Sequence, residues 1–215
     1  MDEQTRDQRW WQNWDDRDKR ERVEAFWRHC PDQIAERKQW YKLLGEAVRN
    51  TFGTTVPIRV LDFGCGTGED QPFISDLCKT YYGVDVTPEM LQVAKTKHPG
   101  IAVDYDDILA SRFGDRAWPL VICNAVLPHL PLEMIPQAIS ELWRITQRLL
   151  VVRVFGVGRA GDECEKKTLD GFLYNWLPAS KWTELLTVEG ATLTASLSTT
   201  PPTQGSMVLC LSRTS

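Results

Sequence analysis

The sequence predicts an α/β protein with a doubly wound, mostly parallel sheet, and three observations lead to it. From about residue 57 onward, short apolar runs alternate with segments of helical period, the rhythm of a parallel sheet covered by helices on both faces. The first of these runs, 58–63, enters a glycine-rich loop, Gly64-Cys65-Gly66-Thr67-Gly68. At the far end, runs 191–197 and 207–211 are joined only by a short Pro-rich loop. Strands joined so briefly must be antiparallel, so a C-terminal hairpin is expected to close the sheet.

Element by element, the chain divides into a Trp-rich extension, residues 1–30, and one domain, residues 31–215. The extension alternates acids and bases with Trp10, Trp11, Trp14 and Trp27. Its charges nearly balance, so it is neither a basic arm nor an acidic tail; a helix with a docking Trp face is expected. A second helix starts at Pro31, carries Ile34, Tyr41, Leu44 and Val48 at helical spacing, and stops at Gly53. Then follow a helix over 72–79, a strand over 81–86, and a helix over 88–97 with Pro88 at its favoured first turn. A short strand is expected over 101–105 and a buried one over 120–124. A long helix over 132–148 has Ile135, Ile139, Leu142 and Ile145 on one face, before another buried strand over 149–155. An amphipathic helix over 181–188 precedes the hairpin.

Composition narrows the functional classes. Hydrophobic residues make up 42% and charged residues 25%, ordinary values for a globular domain. A net charge of −4 exerts no global pull toward nucleic acid or anionic lipid. The first 22 residues lack an apolar h-region, and no apolar run is long enough to span a bilayer, so a cytoplasmic protein is expected. The six cysteines, at 30, 65, 78, 123, 164 and 210, form no C-x-x-C pair and have no histidine at ligand spacing. They are expected to be reduced packing thiols, with no metal site.

The chemistry concentrates in Val60-Leu61-Asp62-Phe63-Gly64-Cys65-Gly66-Thr67-Gly68. Glycines at the exit of a buried strand let the backbone approach a ligand, and the following helix offers free N–H groups. A dinucleotide fingerprint would be G-x-G-x-x-G. Here the third glycine comes one residue early and Glu69 follows it, a poor setting for a diphosphate. Asp62 suits a ligand bearing an ammonium group. S-adenosylmethionine, with an amino-acid end, a sulfonium and no phosphate, fits better than a nicotinamide cofactor. Asp85 closes the next strand, Tyr82-Gly83-Val84-Asp85-Val86, where such folds place an acid on a ribose diol.

Together these segments resemble the class I S-adenosylmethionine-dependent methyltransferase superfamily over roughly residues 35–213. Residues 60–68 are similar to its first motif and 83–94 to its second, ribose-binding one. Tyr105-Asp106-Asp107-Ile108-Leu109 resembles its third element, which implies Asp107 on the adenine amine and Ile108 against the ring, with Asp106 the competing acid. The run from Leu120 to Leu130 resembles the fourth motif and implies Asn124 and Ala125 beside the sulfonium. Many relatives open this strand with Asp, where Pro119 stands here. The resemblance implies a seven-stranded sheet and methyl transfer by in-line displacement, for which alignment is the main requirement.

A general base helps where the acceptor carries a proton, and His129 is the candidate, its rival role being to fix the loop over the cofactor. Tyr174 and Trp176 fall where the family often covers its acceptor; Trp14 and its neighbours could stack on a planar acceptor or pack on the domain. The adenine-amine, cytosine-C5, metal-dependent catechol and arginine subclasses lack their signature residues in this chain. A small-molecule acceptor is therefore expected, with the protein a monomer or homodimer. The alternatives are an RNA or protein methyltransferase, or a non-catalytic cofactor-binding subunit.

Overall fold

The computed structural model describes residues 17, 18, 21, 31–53, 59–158, 165–169, 172–198 and 205–213. Of the Trp-rich extension this leaves out all four tryptophans, so the expected docking helix and Trp14 lie outside the described residues.

The helix α1 (Pro31–Phe52) ends at Gly53, whose N–H bonds to Arg49 O at 2.8 Å. There follow β1 (Arg59–Phe63), the short helix α2 (Gln71–Ile74) and β2 (Thr80–Asp85). Next come α3 (Pro88–Lys97), β3 (Val103–Tyr105), β4 (Trp118–Asn124), α4 (Ile135–Ile145) and β5 (Thr146–Gly158). A hairpin of β6 (Glu165–Leu169) and β7 (Phe172–Pro178) leads to α5 (Ala179–Leu185), β8 (Ala191–Ser198) and β9 (Gly205–Arg213). The order β3-β2-β1-β4-β5 is parallel, and β9 then β8 continue it antiparallel, closing the sheet as expected.

Each face of the sheet carries its own core. On one side Trp40, Leu44 and Val48 of α1 pack with Leu91 and Ala94 of α3 against Val60, Leu120, Ile122 and Val151. On the other, Ile135, Ile139, Leu142 and Trp182 cover Leu61, Val121, Cys123, Leu150 and Val152. Alternate residues of β1, β4 and β5 thus enter opposite cores, which is why these strands read as largely apolar runs, Asp62 in β1 and Arg153 in β5 being the buried charges. No described helix is long and apolar enough to cross a membrane.

Three expectations need correction. The helix expected over 132–148 begins as a 3-10 turn (Leu132–Met134) and ends at Ile145, because Thr146 is already extended and starts β5. The helix expected over 72–79 is a single α turn that tightens into a 3-10 turn (Ser75–Leu77). The sheet has nine strands among the described residues, not seven. All seven expected strands are present; the additional pair is the β6–β7 hairpin.

That hairpin has a defined place. β4 pairs with β5 only as far as Asn124↔Arg153, while β5 runs on to Gly158. β9 occupies the other edge of β5, so β7, pairing parallel at Val157↔Leu177, takes up the row that β4 vacates. Pro119 sits in β4 where the register against β5 shifts, between Trp118 and Leu120; a residue with no N–H is tolerated at such an irregularity.

Candidate active site

At the carboxyl ends of β1, β2 and β4 lies a cleft of about 200 Å³. Its base is the glycine loop. Gly64 and Cys65 donate their N–H groups to Val84 O at 2.7 and 3.0 Å, hanging the loop on β2. Gly64 has φ +78°, and a Cβ there would drive into Val126 Cγ2, so this position needs glycine for both its conformation and its space. Gly66 donates to Asp85 Oδ2 at 2.9 Å, and Thr87 N–H to Asp85 Oδ1 at 2.9 Å. The Asp85 carboxylate therefore ties together the two turns that form one wall, and burial raises its pKa against these bonds.

Of the residues expected here, Gly64, Gly66, Asp85, Val86, Ile108, Asn124, Ala125 and His129 line one continuous cleft. Asp107 does not: its Oδ1 accepts the Leu109 N–H at 2.9 Å, capping the turn. Asp106, the competing acid, does line the cleft. Its Oδ1 accepts N–H groups of Asp107 and Arg112, and its Oδ2 takes the Ser111 hydroxyl. Cys65 and Gly68 lie behind the lining, packed against Gly83 and against Ile101 and His98 respectively. Phe63, Thr87, Met90 and Val126 make up the rest of the described lining; all four lie inside the quoted motifs, which assigned them no role of their own.

Asp62 also lies behind the loop. It is 2% exposed and accepts the Tyr81 hydroxyl at 2.6 Å. Burial first, and Asp70 second, push its carboxyl up to about 8. A cation brought near it would favour its ionised form.

At the other end, Ala125 has φ +61°, uncommon for a side-chain-bearing residue, and its N–H bonds to Arg153 O at 2.9 Å. A strained residue ending a strand at a cleft wall fits a functional position. Asn124 is held on two sides. Its Nδ2 donates to Asp70 Oδ2, and its Oδ1 accepts from Arg153 Nη1 at 3.2 Å. Arg153 is 5% exposed and paired with buried Glu36 at 2.8 Å. Sequence reasoning missed Glu36, Tyr41, Asp70 and Arg153. The available signal was Arg153, a lone charge inside the apolar run of β5.

The ring of His129 bonds through Nδ1 to Leu173 O at 2.9 Å. A carbonyl only accepts, so Nδ1 carries the proton and Nε2 is the basic atom. Burial pushes the imidazole pKa down to about 4, against this bond. Its ring lies 4.9 Å from that of Tyr174 and 5.2 Å from that of Phe155. Asn175, one residue along β7, donates to Pro128 O at 3.1 Å and to Leu130 O at 2.6 Å. The hairpin thus clamps the turn that carries His129. Tyr174 backs His129 and Trp176 covers Gly156; neither belongs to the cleft lining. Among the described residues there is no cluster of His, Cys, Asp and Glu able to hold a metal.

The donor set is informative about a ligand. Among the described residues, the lining contains two carboxylates, Asp85 and Asp106, and neither Lys nor Arg. A diphosphate would meet no counter-charge there, whereas a phosphate-free cation with hydroxyls is matched. The residues present therefore fit S-adenosylmethionine.

Comparison with known proteins points the same way. Residues 60–148 match the family described as a methyltransferase domain. A ubiquinone biosynthesis O-methyltransferase of Burkholderia thailandensis is 35% identical over 78 residues, 34% of this chain and 34% of the relative. A malonyl-acyl-carrier-protein O-methyltransferase of Pectobacterium atrosepticum is 28% identical over 118 residues, covering 55% of this chain and 45% of the relative. The chain thus matches about a third to a half of the length of these curated relatives. Among solved structures, a Pyrococcus horikoshii protein superposes with a TM-score of 0.66 at 14% identity, covering 88% of this chain and 99% of that one. The cyclase SpnF does so with 0.61 at 15% identity, over 79% of this chain and 80% of that one. At such identities the likeness is one of fold.

Proposed function

We propose that this chain is a class I, Rossmann-like S-adenosylmethionine-dependent methyltransferase that transfers a methyl group to a small-molecule acceptor, a reading supported by the match of residues 60–148 to a methyltransferase domain. The observation that carries the reading is the single cleft joining Asp85, Asp106 and Ile108 at one end to Asn124, Ala125 and His129 at the other. In this reading the Asp85 carboxylate holds the ribose hydroxyls and Ile108 lies against the adenine. Asp106 or Asp107 takes the adenine amine; the cleft lining favours Asp106, whose carboxylate already organises the turn. Asp62, behind the loop, supplies negative charge to the amino-acid end. Asn124 and Ala125 stand beside the sulfonium.

When bound, the cofactor supplies a methyl group already activated for displacement, so the chain's task is to align the acceptor with it and exclude water. His129 is the group for holding a proton. Its Nδ1 is fixed on Leu173 O, which leaves proton removal from the acceptor to Nε2. Neutral across the physiological range, it would act on an acceptor that gives up its proton readily. The two O-methyltransferase relatives support an oxygen acceptor. Tyr174 and Trp176 shape the acceptor side through His129 and Gly156. A cytoplasmic location belongs to the same reading and is supported by the free thiols of Cys65, Cys78, Cys123 and Cys210.

A second reading has one observation in its favour: the cyclase SpnF shares the fold, so the fold alone does not fix the reaction. Calorimetry with S-adenosylhomocysteine and with NADH tests the cofactor. Micromolar binding of the first and none of the second is expected, and the reverse would sink the assignment. Release of S-adenosylhomocysteine from S-adenosylmethionine with a pool of phenolic and carboxylic acceptors then separates methyl transfer from a non-methylating role.

A further inference from the structure

Asn124 is the point where the cleft meets the rest of the molecule. Its amide has one possible orientation, because the guanidinium on its Oδ1 can only donate and the carboxylate on its Nδ2 only accept. Both partners lead to the same element. Arg153 Nη2 donates to Glu36 Oε2 at 2.8 Å, and Glu36 belongs to α1. Asp70 Oδ1 accepts the Tyr41 hydroxyl at 2.6 Å, and Tyr41 also belongs to α1, its ring stacked on Phe73 at 4.2 Å. Arg153 Nε is buried with no hydrogen-bond partner among the described residues, so the guanidinium rests on its Asn124 and Glu36 bonds. None of Glu36, Tyr41, Asp70 and Arg153 lines the cleft.

We propose that Arg153, Glu36 and Tyr41 are positioning residues through which the docking of helix α1 and the occupancy of the cleft at Asn124 form one linked equilibrium. The inference rests on the reading of the cleft as a cofactor site. No described residue of helix α1 lines the cleft, yet the helix fixes the amide that a ligand meets at this end. By linkage, a ligand that uses Asn124 tightens α1, and loosening α1 weakens the ligand by the same factor.

The test measures S-adenosylhomocysteine affinity by calorimetry and hydrogen exchange of residues 36–48. Glu36→Gln should weaken binding roughly tenfold and speed exchange in α1. Tyr41→Phe, which keeps the stack on Phe73, should act in the same direction to a smaller extent. The double variant Glu36→Gln/Arg153→Met removes both buried charges, and its melting temperature should return toward that of the parent. Its affinity should stay low, because Asn124 Oδ1 has lost its donor. If affinity returns together with melting temperature, or if Glu36→Gln binds as the parent does, the coupling is overturned. A ligand-free measurement stands apart from the cofactor reading. Asn124→Ala alone should speed exchange over 36–48, and unchanged exchange would equally overturn the proposal. A parent protein that binds no S-adenosylhomocysteine sinks the cofactor reading, and the ligand-free exchange still decides the coupling.

Discussion

Replacing Gly64 by alanine confronts the loop with two separate costs. At φ +78° a Cβ crowds the following carbonyl, which costs about 1–2 kcal/mol. The same Cβ would drive into Val126 Cγ2, and overpacking of this kind costs about 1–3 kcal/mol. The loop hangs from Val84 O by two hydrogen bonds and cannot slide away without losing them, so a total loss of roughly 2–5 kcal/mol is expected. The two costs separate in a double-mutant cycle. Val126→Ala removes both γ methyls and leaves only Val126 Cβ, 3.3 Å from the new atom, a distance small adjustments absorb. Combined with Gly64→Ala it should recover the steric part, so that the coupling energy is about 1–3 kcal/mol in the favourable sense. Urea unfolding followed by the fluorescence of buried Trp40, Trp118, Trp143 and Trp182 gives each stability directly. A single variant within about 0.5 kcal/mol of the parent, the scale of an ordinary surface substitution, would refute the account of the loop. Strict additivity would refute the role given to Val126.

Other expectations follow from the same geometry. Asp85→Ala should weaken S-adenosylhomocysteine binding by about 1–3 kcal/mol, since it removes the acid expected on the ribose and frees the N–H groups of Gly66 and Thr87; calorimetry showing unchanged affinity would oppose the ribose role. His129 titrates near 4 when folded and near 6.5 when unfolded, so the folded state binds its proton more weakly. Its contribution to stability is complete above about pH 6.5 and is lost as pH falls toward 4, up to about 3 kcal/mol, and His129→Gln should flatten that part of the stability–pH curve. Asn175→Ala strips two buried carbonyls of their donor, with an expected loss of about 1–3 kcal/mol; a melting temperature equal to the parent's would argue against the clamp.

How far the sequence could be read depended on the kind of signal. Alternating runs and turns placed seven strands, because β1, β4 and β5 are buried on both faces and are therefore mostly apolar. The hairpin gave no such signal. Glu165-Lys166-Lys167-Thr168-Leu169 carries three charges in five residues and reads as solvated loop; it becomes a strand through its pairing with β7. Neighbours in sequence were equally hard to separate. Asp106 and Asp107 are identical in type and adjacent, and the local turn decides which carboxyl faces the cleft. The Glu36–Arg153–Asn124–Asp70–Tyr41 network joins α1, the glycine-loop exit, β4 and β5, a set of contacts no local pattern encodes. Arg153 alone could have been suspected, since a charge inside a buried strand requires a partner from elsewhere.

The overhang of β5 beyond β4 gives the cleft two unequal halves. The half at the ends of β1 and β2 is held by backbone hydrogen bonds and glycines, so almost any insertion there would dismantle it. The half beyond Asn124 ends at His129, whose turn is backed by a hairpin that occupies a vacated row, attached by a short stretch of ladder, one imidazole and one amide. A change in the length or the faces of that hairpin would reshape the space in front of His129 and leave the glycine loop untouched. The architecture thus separates the part that sets the choice of donor from the part free to vary with the acceptor.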